Sequence, residues 1–257
     1  MNRTRRMPLP SQNFLTILFI MAVSGGVAFF NVIDSNLTVF VFVAAGWVAS
    51  VCIHEFGHAY AAKRGGDYSI DQKGYLELDP AHFMEPVGSI LFPLLMLALG
   101  GIGLPGGAIF VRTELLRSKT WQTIVALAGP FASLCVLVVL GIPFMLGLDR
   151  IGGGPLFWGA LAMLAYLQAT AIVFNLIPIP GFDGWNAIEP YLPVHIRIAA
   201  DRFRPITAIV VLVLIFTVPV VGYTIFRAAA FLTTAAHVDL FWVMEGLNRF
   251  RFWRAFM

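Results

Sequence analysis

The sequence predicts an all-α polytopic membrane protein with about six transmembrane helices, a re-entrant helix and a small β-hairpin. Three observations carry that expectation. Hydrophobic residues make up 59% of the 257 and charged residues only 12%, against about 25% charged in an ordinary soluble domain. Mean hydropathy is +0.82. The apolar residues also fall into runs of the roughly 20 needed to cross a hydrocarbon core about 30 Å thick. The formal net charge of +3 is no nucleic-acid signature, because the Lys and Arg residues mostly flank apolar runs and act there as topology signals. The lipid bilayer is therefore an expected partner and nucleic acid is not.

Taken in order, Arg3, Arg5 and Arg6 precede an apolar run at 13–33. That run outlasts the roughly 7–15-residue core of a cleaved signal peptide and reads as a retained first helix. A polar turn from Asn31 to Asn36 leads to a second helix at 38–62, ended by Lys63, Arg64, Gly65 and Gly66. Residues 67–85 form the main polar segment. In it, Tyr68-Ser69-Ile70 and Tyr75-Leu76-Glu77-Leu78 flank Asp71-Gln72-Lys73-Gly74, the pattern of a β-hairpin. The run at 87–104 is broken by Pro93, Gly100, Gly101 and Gly103, and a Pro/Gly-rich connector fills 105–110. Further runs follow at 120–148, 157–177, 206–226 and 228–247. The last carries His237, Asp239 and Glu245 and suits the membrane interface as well as a span. Cys52 and Cys135 both fall in helices and read as buried thiols. The whole, 1–257, reads as one membrane domain with a core at 38–190, an N-terminal helix at 13–33 and C-terminal helices at 206–247.

Charge counting decides the topology. With 87–104 re-entrant, 15 Lys and Arg lie on the side of the N-terminus and two, Arg150 and Arg227, on the other. With 87–104 crossing fully, the counts become 8 and 9. The positive-inside rule selects the first arrangement, with both termini cytoplasmic in a plasma (inner) membrane.

Within the second helix stands His54-Glu55-Phe56-Gly57-His58. Histidines four apart lie one turn above each other on one helix face and can bind one metal ion, while Glu55 is placed to act as a general base toward water. Ionisable groups at membrane depth are expensive and mark functional sites. A catalytic metal needs a third protein ligand. Its best donor lies in Asn175-Leu176-Ile177-Pro178-Ile179-Pro180-Gly181-Phe182-Asp183-Gly184. Two prolines and two glycines must unwind the chain there, which is tolerated at membrane depth only beside protein or a wet cavity. Asp183 is thus delivered on a broken segment, on the same side as His58. His82 reads as a hydrogen-bonded interfacial residue.

These residues carry a resemblance. The chain resembles the site-2 protease family of intramembrane zinc metalloproteases in its HExxH helix, its later N-x-x-P-x-P-x-x-D-G motif and their order. Asp79-Pro80-Ala81-His82-Phe83-Met84-Glu85-Pro86-Val87-Gly88 is similar to the segment that follows HExxH in compact members without PDZ or CBS modules, and Ala128-Gly129-Pro130 is similar to their Gly-Pro helix. Glu85 stands where those members usually have Asp, and Ser133 where an Asn often follows Gly-Pro. The likeness spans roughly 38–190. It implies one Zn²⁺ per chain held by His54, His58 and Asp183, Glu55 as general base, and Asn175 as a donor to the developing oxyanion. It also implies hydrolysis of a peptide bond in or near a transmembrane segment of a protein substrate. The 67–78 hairpin is expected to offer such a segment a strand edge, with 87–110 shaping the entrance. Alternatives from the residues alone are a membrane metalloprotease for cytoplasmic or lipidated peptides, and an inactive metal-binding scaffold or transporter.

Overall fold

The computed structural model describes residues 9–33, 35–82 and 109–251. Among them run nine α-helices: α1 (Gln12–Phe29), α2 (Asn36–Gly65), α3 (Lys119–Met145), α4 (Pro155–Asn175), α5 (Asp183–Ile188), α6 (Val194–Asp201), α7 (Arg204–Thr217), α8 (Pro219–Ala235) and α9 (Leu240–Phe250). The expected re-entrant helix at 87–104 lies outside the described residues.

Local chemistry sets the helix ends. Ser35 and Ser118 cap α2 and α3, accepting hydrogen bonds from the backbone N–H groups of Leu37 and Trp121. Pro155 opens α4 at its first turn, where a missing N–H costs nothing. Lys63 and Arg64 end α2, where cations meet the negative pole of the helix. Four helices (α1, α2, α3 and α4) are long and apolar enough to cross a membrane. This is a membrane protein.

The centre of the bundle is α4. Its residues are buried almost all round, from Leu156 to Asn175, which marks a helix enclosed by others rather than one facing solvent or lipid on one side. It packs against α2, α3, α8 and α9, while α2 is clamped between α1, α3 and α4. The site therefore sits where the α2, α3 and α4 seams meet.

Three expectations are corrected. The first is the β-hairpin. Residues 67–82 instead form short 3-10 turns, Tyr68–Gln72, Tyr75–Glu77 and Pro80–His82. The neighbours Tyr75 and Leu76 are both buried, which an alternating strand with one covered face cannot do. The fully buried Asp67 carboxylate holds the turns together, accepting from Ser69 N–H (3.0 Å), Ser69 O–H (2.6 Å) and Arg112 N–H (2.8 Å). With no strand there, the expected edge for substrate pairing is absent from that segment.

The second correction concerns the run at 206–226. It breaks at Val218, whose extended backbone (φ −113°, ψ 96°) is what a following proline imposes, and Ile209–Thr217 meets Pro219–Ala235 at 102°. The described residues thus offer four spans, or five if that bent pair counts as one; the runs 206–226 and 228–247 are not two further straight helices. Third, Cys52 is buried but Cys135 is exposed on the outer face of α3.

The polar segment is tied back to the first helix. Ser11 N–H donates to Glu77 O (2.7 Å), and the Asn13 amide donates to both carboxylate oxygens of Asp79 (3.0 and 3.1 Å). Partial burial alone would raise the Asp79 pKa, but the Asn13 amide, the Ala81 N–H and His82 together hold it below the usual value. His82 is exposed, and its Nδ1 donates to Gly74 O at 3.1 Å, as expected of an interfacial histidine.

Candidate metal centre

His54 and His58 project from the same face of α2 into the seam with α3, both buried. Their helix can lie close to α3 because Gly57 has no side chain; a Cβ there would stand 2.5 Å from Ala128 O. Each imidazole is oriented from behind. His58 Nδ1 lies 2.7 Å from Val125 O, and since a carbonyl only accepts, Nδ1 carries the proton and Nε2 keeps its lone pair. His54 Nδ1 lies 3.0 Å from Ser133 Oγ, which holds that ring with Nε2 facing the cluster. Hydrogen bonds behind a ligand set its tautomer and direction.

The third donor arrives from another element. After Asn175 the chain leaves the helix through Pro178, Pro180 and Gly181, and Asp183 opens the short helix α5. Asp183 Oδ2 comes to 3.2 Å from His54 Nε2 and 3.3 Å from His58 Nε2, and the two Nε2 atoms are 3.0 Å apart. A tetrahedral ion with bonds of about 2.0–2.1 Å separates its ligands by about 3.3 Å. The observed triangle is that size.

Two further observations fit a cation. Asp183 Oδ2 is buried and has no hydrogen-bond partner. Three lone-pair donors also converge with nothing polar between them, an arrangement that repels itself unless a positive charge sits among them. Gly129 on α3 leaves the room: a Cβ there would lie 2.7 Å from His54 Nε2 and closer still to His58 Nε2. His54, His58 and Asp183 are the His/Cys/Asp/Glu cluster of metal-binding geometry found among the described residues.

Glu55, 4% exposed, lies beside this cluster, and Ile109 N–H donates to its Oε2 at 3.2 Å. Asn175 is buried at the end of α4 and lines one small cavity together with His54, Glu55 and Ser133. The structure therefore brings all five sequence-derived residues to one place. Ser133, Val125 and Gly129 take part without having been singled out as site residues. The Gly-Pro pair at 129–130 was the one local signal available for them. Replacing Ser133 with Ala should lower zinc affinity about 10–100-fold, the usual cost of losing a partner behind a ligand; competitive chelator titration measures this, and unchanged affinity would contradict the assigned role.

Sequence comparison finds zinc metalloprotease relatives. The chain is 38% identical over 253 residues to "Putative zinc metalloprotease Rip2" of Mycolicibacterium smegmatis, covering 96% of this chain and 95% of the relative. It is 38% identical over 248 residues to the protein of the same name from Mycobacterium tuberculosis strain H37Rv, covering 95% and 94%. To "Putative zinc metalloprotease YwhC" of Bacillus subtilis it is 28% identical over 193 residues, covering 69% and 81%. No family model and no solved structure matches the chain. With a donor triangle sized for zinc beside a buried glutamate, and end-to-end likeness to Rip2, the chain belongs to the compact site-2 protease-like family of zinc metalloproteases.

Proposed function

We propose that this protein is an intramembrane zinc endopeptidase that cuts a peptide bond in or near a transmembrane segment of a membrane-protein substrate. The observation that carries the proposal is a three-donor cluster, within 4.8 Å and mostly buried, with both histidines on a helix long and apolar enough to cross a bilayer. His54, His58 and Asp183 hold the zinc, which when bound supplies Lewis acidity that polarises a carbonyl and makes water a better nucleophile.

The chain's own groups do the rest. The Glu55 carboxylate accepts a proton from the attacking water and later delivers it to the leaving amine nitrogen. Its Oε2 is held by Ile109 N–H, so the carboxylate is oriented before substrate arrives. Asn175 donates an amide N–H to the oxyanion that develops on the scissile carbonyl. In support, Asn175 is buried and lines the same small cavity as His54 and Glu55, which puts its amide beside the metal cluster. Apolar helices around the cluster keep bulk water out, which strengthens these interactions. In this reading the residues 1–257 form one membrane domain, both termini are cytoplasmic in the plasma membrane, and the catalytic depth lies near the cytoplasmic face.

The test is a substrate panel. Zinc-loaded protein in liposomes is given single-span peptides and matched soluble peptides bearing the same residues. Cleavage confined to the membrane-spanning members is expected. Equal or preferred cleavage of the soluble set would instead favour an enzyme for cytoplasmic peptides, and transport of zinc without any cleavage would favour a carrier.

A further inference from the structure

Gln168 lies in the middle of α4, 1% exposed, in a membrane protein where a buried amide is expensive. Its Nε2 is buried and has no hydrogen-bond partner. Groups of that kind are rare in native structures and call for an explanation.

The surroundings supply one. Gln168, Ala171 and Asn175 share one face of α4, spaced i, i+3 and i+7, while Trp47, Ser50, Val51 and His54 share the facing stripe of α2. Between the stripes lies a cavity of about 20 Å³, lined also by Glu55 and by Ser133 from α3. A single water needs roughly 10–15 Å³ and two to four polar partners. The volume admits one water, and the lining includes the unpartnered Gln168 Nε2 together with Glu55 and Asn175, residues whose side chains carry the polar groups a water needs. Ser50 and Ser133 are already engaged, Ser50 with Gly46 O (2.7 Å) and Ser133 with His54 Nδ1 (3.0 Å).

We infer that Gln168 is a positioning residue that acts on Asn175 and Glu55 through one internal water. Gln168 Nε2–H donates to the water oxygen, and the water donates one hydrogen to Asn175 Oδ1 and the other to the Glu55 carboxylate. This fixes the Asn175 amide with its carbonyl toward the cavity and its NH₂ toward the metal cluster. It also leaves the second oxygen of Glu55 to Ile109 N–H. The water is a fixture distinct from the reacting one, and no proton is transferred through it. The inference rests on the proposed endopeptidase reading for its kinetic consequence, though not for the water site itself.

Two readouts test it. In a structure of the zinc-loaded wild-type chain at a resolution that shows ordered solvent, one water is expected within hydrogen-bond distance of Gln168 Nε2. Kinetically, Gln168→Leu removes the donor and Ala171→Val fills the cavity. Each is expected to lower kcat about tenfold, less than the 10²–10³ for losing a direct oxyanion donor. KM and zinc content should stay unchanged. Because both act through one water, the double variant should be no slower than either single variant.

No water at Gln168, unchanged kcat in either variant, or losses that multiply in the double variant would overturn the inference. A wild-type chain that shows the water but cleaves nothing would count against the endopeptidase reading and leave the water-bound amide standing.

Discussion

Glu55→Gln should abolish cleavage while leaving zinc in place. Positioned general acid–base groups contribute about 10²–10⁴-fold, so kcat is expected to fall by at least that lower bound. The metal should stay because the donor triangle is built from His54, His58 and Asp183, without Glu55. The fold should stay too, since a glutamine carbonyl can accept the Ile109 N–H that Glu55 Oε2 accepts at 3.2 Å. Metal analysis and peptide cleavage on the same preparation separate the two effects. Substantial residual cleavage would remove Glu55 from its role, and loss of zinc would make it a ligand or a support for one.

Gly129→Ala should empty the metal site without touching any ligand. A Cβ at 129 would stand 2.7 Å from His54 Nε2 and still nearer His58 Nε2, where the ligand lone pairs converge. Side-chain collisions are often relieved by rotation, but both rings are pinned from behind, at 2.7 Å to Val125 O and 3.0 Å to Ser133 Oγ. Relief would have to come from moving α3 away from α2, and the Gly57–Ala128 contact shows how tightly those backbones are set. Zinc affinity is therefore expected to drop more than about 100-fold, beyond the range of losing a partner behind a ligand. Full zinc occupancy in the variant would show that α3 can move away from the ligands and would contradict the tight α2–α3 contact as the cause.

The parts of the site visible in the sequence are those set by local geometry. The His54/His58 pairing follows from helical spacing alone. The delivery of Asp183 followed from prolines that cannot continue α4, and the structure ends that helix at Asn175. The hydrogen bonds behind the imidazoles were not legible, because Ser133 and Val125 meet them only through packing of α3 on α2. A serine in an apolar run looks the same whether it bonds back to its own helix, as Ser50 does, or across to a neighbour.

The fold divides along the same line. Of the six spans that hydropathy predicts, 13–33, 38–62, 120–148 and 157–177 match helices long and apolar enough to cross, with ends shifted by a few residues. Pro219 stands within the run 206–226, but a hydropathy window does not weigh a broken backbone, so that run reads as one span although it joins α7 to only the first half of α8. The hairpin failed for another reason. Ile70, Tyr75 and Leu76, which favour a strand, instead bury against α2, and the buried Asp67 satisfies turn backbone that a strand ladder would otherwise have engaged. Tertiary contact overrode local propensity.

The proposed cation is shared between α2 and Asp183, which opens α5 just after the unwound stretch. Zinc bound per chain, compared between wild type and Asp183→Ala, tests this most directly. One zinc in the wild type and less than about a tenth of that in the variant under the same chelator challenge is expected, since two imidazoles alone are a weak zinc site. Equal zinc in both proteins would place the metal, if there is one, away from Asp183 and contradict the account.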